Sequence, residues 1–456
     1  MRIPQQIVVL LAFSCLSMFT QGQNEDSLVI RQIYDEILSN GECYSNLEVL
    51  CKDIGCRLSG SPEADRAIAW GEELLKSYGF ENVTKQPVEV PHWTRGDIES
   101  GHYTSNGTDY PVRLCALGGS VGSNGSITAP VIEVKRLEEL ADLGREQIEG
   151  RIVFFNRPMD PVLINTGAAY GGAYDQRGKG ASEAAKYGAV GTIIRSLTHA
   201  LDTFPHTGGM RYEPEIKKIP AAALCTVDAR ALSQQIKSDP DLTFTLELDC
   251  QKFDDKVQYN VMGEIPGSTL PEQIIVVGGH LDSWDIGEGA HDDGAGIVQT
   301  IEVLRALKAL NIELKRTLRV VLYINEENGN NGGKTYANES KEDDVYHFAA
   351  IESDAGGFSP RGFRFDGSDE QYEIFKTFEG LLEPYNLHVF RRGHTGVDIG
   401  PLKDGRVALF GLVPDGQRYF DYHHSNNDIF ENVNRRELEL GAASITCLVY
   451  LIDKHL

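Results

Sequence analysis

Apolar runs that break into polar tips recur through the second half of the chain. Ile274-Ile275-Val276-Val277 runs into Gly278-Gly279 and delivers His280. Asp282, a loop over 284–290 and the pair Asp292-Asp293 follow. Behind Gly294, residues Ile297, Ile301, Leu304 and Leu307 recur at the spacing of one helix face. A second run, 317–324, ends in Asn325-Glu326-Glu327, and a third, 348–353, ends at Asp354. The pattern predicts strand, polar loop, helix, strand and polar tip. In an open parallel sheet, the carboxyl ends of the strands share one edge, and chemistry sits there.

Upstream, helical spacing is predicted over 29–38, 44–54 and 64–78, with helix-start chemistry in Arg57-Leu58-Ser59-Gly60-Ser61-Pro62. Residues 83–90 alternate as a strand does, and Pro91-His92-Trp93 is expected to end it. Between Arg95 and Gln251 the texture changes. Gly and Ser cluster at 118–126 and Gly recurs through 167–180. Short strands are predicted at 131–134, 151–155, 190–194, 221–225 and 244–248, with short helices at 137–143, 181–187 and 227–236. This stretch, 95–251, reads as an inserted β-rich domain without a catalytic constellation of its own. The flanks, 23–94 and 252–456, then form one discontinuous α/β domain. Its fold class is a mixed, mostly parallel sheet flanked by helices, with strands near Ile274, Thr317, Phe348 and Arg406. A last helix over 435–452 aligns Leu438, Ala442, Ile445, Val449 and Ile452, a stripe that reads as core packing.

Composition narrows the function classes. The net charge of -24 argues against nucleic acid and against anionic membrane surfaces as partners. Residues 1–22 read as a signal peptide, with Arg2 ahead of a mostly apolar run over 7–19 that is short for a bilayer span. The mature chain is therefore expected to be secreted and extracellular, or held in the lumen of the secretory or lysosomal pathway. Glycosylation sequons at Asn82, Asn106, Asn124 and Asn338 fit that route. Of 8 cysteines, Cys15 falls in the leader. Cys51 with Cys56, and Cys225 with Cys250, are close enough in sequence to consider as pairs, but spacing leaves the pairing open. Cys447 reads as a buried thiol. No CxxC pair exists, which speaks against a cysteine zinc site.

The polar tips supply His280, Asp292, Glu327 and Asp354, and Tyr422-His423-His424-Ser425 adds one histidine of two. Imidazole with carboxylates is a ligand set that zinc takes. Five ligands with one shared carboxylate suit two zinc ions per chain, each keeping an open position. Glu326, beside a ligand, is placed to take a proton from water.

This constellation resembles the co-catalytic di-zinc aminopeptidase and glutamate carboxypeptidase superfamily, within it the plasma glutamate carboxypeptidase (carboxypeptidase Q) type. The resemblance rests on Gly279-His280-Leu281-Asp282-Ser283-Trp284-Asp285, Asp292-Asp293-Gly294, Glu326-Glu327, Glu352-Ser353-Asp354-Ala355-Gly356 and His423-His424-Ser425. Arg57-Leu58-Ser59-Gly60-Ser61 and Pro205-His206-Thr207-Gly208 extend it. It implies the zinc exopeptidase fold and roles for these residues. Asp292 would bridge the metals, with His280 and Asp354 on one ion and Glu327 and His424 on the other. Glu326 would be the catalytic base, activating a metal-bridging water. Asp282 would hold the distal nitrogen of His280, a supporting task behind the ligand. The histidine before Ser is the ligand in the family pattern, which favours His424 over His423. The Asp292–Asp293 peptide would be cis, the insertion would be a protease-associated domain, and the protein a homodimer.

Blander readings stand beside these. His280 alone would be a structural histidine; the register of the whole set argues for a metal. His291 reads as a loop residue, and His206 as structural or solvent-facing, with a role over the active site as the alternative. Arg391-Arg392 reads as a solvated pair, with attraction of a substrate carboxylate the alternative, and His394 as either loop structure or a substrate contact. Two other functions use this kind of fold: a non-catalytic receptor-like binding protein and a single-zinc glutaminyl-cyclase-like acyltransferase. The full ligand set favours a hydrolase of dipeptides or short peptides, with its substrate-binding residues unassigned.

Overall fold

The computed structural model describes residues 25–456, so the expected leader lies outside the described residues. Two eight-stranded sheets organise the chain. In the first, four parallel strands form the centre: Arg316–Tyr323, Leu270–His280, Tyr346–Glu352 and Ala408–Pro414, side by side in that order. Successive residues of these strands enter two different cores. Ile275, Val277, Val320 and Leu322 pack beneath the helices Ala295–Ala309 and Arg435–His455. Ile274, Val276, Val321 and Tyr323 face the other way, against Tyr336 of the helix Asn331–Glu342 and Ile399. Covering both faces is why these strands are apolar at almost every position. Each fully buried Ile or Leu in this layer stabilises by about 1.5–3 kcal/mol.

Parallel pairing aligns the strand ends. His280 lies opposite Tyr323, Gly278 opposite Glu352, and Glu352 opposite Gly411. The polar tips therefore leave the sheet along one edge. Two strands that the pattern did not reveal, Pro360–Asp366 and Val389–Arg392, complete the far side of the sheet. At the other side the strand Glu81–Thr94 runs straight through Pro91, correcting the expected stop. It is an edge strand, where proline is tolerated, and its register with Gln251–Ile265 shifts between Val90 and His92 to accommodate the residue.

The second sheet is built from residues 99–248. Ile127–Val134, Ile152–Phe155, Gly191–Arg195 and Ala221–Leu224 run parallel in it. Glu99–Ser105 and Thr108–Pro111, joined at Asn106-Gly107, form a hairpin at its margin. Both residues of that turn have positive φ, 50° and 77°, as a tight hairpin with the twist of its strands requires. The chain enters and leaves this unit through paired neighbours, Thr94 opposite Gln251. All seven described cysteines are free thiols, so neither pair considered above is bridged. The four sequon asparagines are all exposed. Among the described residues, no helix is long and apolar enough to cross a membrane.

Candidate metal centre

Each tip presents its side chain through local backbone geometry. His280 ends its strand, and its Nδ1 donates to the backbone carbonyl of Asp282 at 3.0 Å, leaving Nε2 for the cluster. The carboxylate of Asp282 stands farther off, 3.9 Å from Nδ1. It accepts instead the backbone N–H of Glu326 at 3.1 Å and of Glu327 at 3.4 Å. Asp282 thus supports His280 by its carbonyl and the Glu326-Glu327 tip by its side chain. That tip turns at Asn325, whose φ is 69°. Asn325 is in turn tied to Ser59, whose hydroxyl also donates to Asn328.

Asp292 and Asp293 lie in the turn Ala290–Gly294 that feeds the helix Ala295–Ala309, and the peptide between them is cis. Asp293 serves the backbone, accepting from His280 N and Gly296 N at 3.1 and 3.0 Å. Asp428 grips the other side of the turn, accepting from His291 N at 2.7 Å and Asp292 N at 3.1 Å. The Asp292 carboxylate is thereby freed to face the histidines. Arg57, fully buried, clamps the loop before this turn through the carbonyls of Leu281, Glu288 and Gly289.

Asp292 is the hub. Its Oδ1 lies 3.3 Å from His280 Nε2, and its Oδ2 lies 3.3 Å from His424 Nε2 and 3.6 Å from His423 Nε2. Asp354 Oδ1 is 3.6 Å from His280 Nε2, and Glu327 Oε2 is 3.1 Å from His424 Nε2. The structure therefore brings His280, Asp292, Asp354, Glu327 and His424 together. Two triads have ligand atoms close enough for an ion: His280 with Asp292 and Asp354, and Asp292 with His423 and His424. The second triad admits His423, but only His424 also touches Glu327. The two imidazoles stack at 3.5 Å between ring centroids. These donors fit zinc, and buried His280 Nε2, Asp292 Oδ2 and Glu327 Oε1 have no hydrogen-bond partner among the described residues.

Electrostatics separates the two histidines. Burial disfavours charge on both. The carboxylates of Glu327 and Asp292 outweigh it at His424 and raise its pKa, whereas burial and neighbouring His424 hold His423 well below the imidazole range. At His280 burial is likewise overcome, by Asp292 and Asp354. Burial, then the charge of Asp292, pushes Glu327 up to about 7. Glu326 is driven well above the ordinary carboxyl range by burial, with Asp354 and Glu327 adding repulsion that His280 partly offsets.

Other sequence candidates lie elsewhere. His291 stacks on Phe358 at 4.3 Å and accepts the Gly357 N–H, a structural role in which burial lowers its pKa to about 4. Arg392 is exposed and tied to Asp369, Gly367 and Ser368, and Arg391 and His394 are exposed. Sequence reasoning missed Asp428 as the clamp of the Ala290–Gly294 turn, and missed Asp398. The latter is fully buried with both carboxylate oxygens unpartnered among the described residues, and burial and Glu326 push its pKa far up. No local spacing marks either residue, because each reaches the cluster from a loop after a different strand.

The model of peptidase family M28 matches residues 260–446. Carboxypeptidase Q of Bos taurus is 34% identical over 94% of this chain and 89% of its own length. Carboxypeptidase Q of Homo sapiens is 34% identical over 90% of this chain and 84% of its own. Among solved structures, a peptidase M28 precursor from Shewanella amazonensis superposes with a TM-score of 0.90 at 33% identity, covering 94% of this chain and 97% of that one. A zinc aminopeptidase from Bacillus subtilis, 20% identical, shares the fold with a TM-score of 0.64, covering 90% of this chain and 93% of its own.

Proposed function

This chain belongs to peptidase family M28, in its carboxypeptidase Q type, and from that premise we propose that it is a zinc-dependent exopeptidase of dipeptides or short peptides. The observation that carries the reading is Asp292, a buried carboxylate with imidazoles on both of its oxygens. We assign His280, Asp292 and Asp354 to one zinc ion and Asp292, Glu327 and His424 to a second. Zinc held by these residues would supply Lewis acidity, polarising a carbonyl and lowering the pKa of water from ~16 toward ~7.

The chain's own residues do the rest. His280 keeps its proton on Nδ1, bound to the Asp282 carbonyl, so Nε2 is a lone-pair donor. Glu326 accepts the proton of the attacking water at its carboxylate and delivers it to the leaving amine. Asp282 holds the backbone under Glu326, which keeps that carboxylate beside the ligands. The inserted segment lies against His423 to Ser425 through an antiparallel bridge between His206 and Ser425, roofing that side of the cluster. A roofed site favours chain ends over the middle of a long chain. We read 95–251 as a protease-associated insertion on this ground, with the separate sheet as its support. Secretion, glycosylation and a homodimer belong to the same proposal.

The test is hydrolysis of a dipeptide library by purified protein, with amino- and carboxyl-blocked controls, before and after chelation. Turnover of free dipeptides that is abolished by chelator and restored by zinc is expected. Zinc-loaded protein that leaves every dipeptide intact refutes the assignment.

A further inference from the structure

His424 has a second side that the catalytic reading does not use. Its Nδ1 lies 3.3 Å from the backbone carbonyl of Thr207 and 3.4 Å from Nη1 of Arg177. That same Nη1 donates to the Thr207 carbonyl at 3.2 Å. Both Arg177 and Thr207 come from the inserted segment, and both are buried. The guanidinium sits over the rings of Tyr170 and Tyr174 at 5.2 and 5.0 Å, and its Nη2 donates to the Tyr170 hydroxyl. Thr207 is fixed in turn: its N–H donates to the His424 carbonyl at 2.9 Å, and its hydroxyl donates to the Ala116 carbonyl at 2.7 Å. Gly208 follows at a φ of 133°, and a β-carbon there would strike both Arg177 Nη1 and His424 Nδ1. The sequence keeps that space clear for the contact.

We infer that Arg177 is a positioning residue for His424, acting from the inserted segment to set the orientation of a metal-binding imidazole. The inference rests on the two-ion reading above. A neutral imidazole that offers Nε2 to a metal carries its proton on Nδ1 and needs an acceptor there. Thr207 is that acceptor. Arg177 has donors only, so it cannot replace the carbonyl, but it locks that carbonyl in place beside the ring. Pro205-His206-Thr207-Gly208 thereby gains a function: it is the part of the insertion that the metal site depends on.

The experiment compares wild type, Arg177→Met and Gly208→Ala in full-length protein. Arg113→Met serves as a control, since Arg113 is an insertion arginine paired with Asp228. Zinc affinity is measured by competition with a chromophoric chelator, cobalt(II) absorption reports coordination, and thermal melting of the metal-free proteins reports folding. Wild type is expected to hold two ions. Arg177→Met is expected to weaken one ion by about 10–100-fold with an altered cobalt spectrum, leaving the other ion and the metal-free Tm at the control's level. Gly208→Ala is expected to weaken the same ion while also lowering the metal-free Tm, because its backbone there favours glycine. A two-ion wild type with an unchanged Arg177→Met overturns the inference alone. Loss of both ions in Arg177→Met together with a fall in metal-free Tm also overturns it, because Arg177 would then be only a structural tie. A wild type that holds one ion or none overturns the two-ion reading, and the inference with it.

Discussion

Glu326 and Glu327 are neighbours assigned different work, and substitution separates them. Glu326→Gln keeps size and hydrogen bonding but cannot accept a proton. Turnover is expected to fall about 10²–10⁴-fold, with zinc content unchanged by metal analysis. Retention of more than about a tenth of wild-type kcat, outside the usual range for a lost acid–base group, removes Glu326 from that role. If Glu327 holds a metal as proposed, Glu327→Gln replaces a charged ligand by a neutral one and should release one ion instead. The two histidines divide in the same way. His424 contacts both Glu327 and Asp292, whereas His423 reaches only Asp292, at 3.6 Å. Zinc loss is expected in His424→Ala and not in His423→Ala; the reverse result shifts the ligand by one residue.

At the scale of elements, the loop after His280 is gripped from two directions. Trp284 leaves it to join the apolar core of the inserted segment, with Ala116, Phe244 and Leu248. Gly118 makes room for that ring, since a β-carbon there would collide with it. Arg95 binds Asp285 of the same loop and reaches Glu99 and the Ala116 carbonyl of the insertion. Gly118→Val should therefore force Trp284 out and cost about 1–3 kcal/mol. Urea unfolding measures the loss, and an unchanged midpoint shows the loop to be independent of the insertion. The elements themselves were unevenly legible. Helices and strands with long apolar periodicity, such as Arg435–His455 and Leu270–His280, were visible because burial imposes their pattern. The Asn106-Gly107 hairpin carries a turn signal that doubles as a glycosylation sequon and is masked by it, while Pro360–Asp366 sits between loops with too short a run to stand out.

The whole molecule carries its negative charge into the centre. Asp292 and Asp293 are buried, and with Glu326, Glu327, Asp354 and Asp398 they crowd one strand edge. A cation that binds only the folded chain stabilises it by about 4 kcal/mol when zinc exceeds its Kd a thousandfold. Chelation is thus expected to lower Tm, with recovery on adding zinc back; a chelator-insensitive melt argues against zinc in the folded protein. Light scattering at micromolar concentration is expected to report a dimer, and a stable monomer contradicts that part of the proposal.

Sequence alone determined the order of the tips. His280, Glu327 and Asp354 each follow an apolar run, and parallel pairing delivers such positions to a common edge, while Asp292 follows His280 within one polar loop. That inference needs local periodicity and one rule of topology. Tertiary structure decided what touches those tips from behind. Asp282 turned out to brace the Glu326-Glu327 backbone with its carboxylate, since its carbonyl already serves His280. Thr207 and Arg177 reach His424 across separations of 217 and 247 residues. Such contacts arise where two sheets, each with its own apolar core, meet, and that meeting leaves no periodic trace along the chain. Only the assembled molecule shows that Gly208 is small because a guanidinium and an imidazole meet beside it.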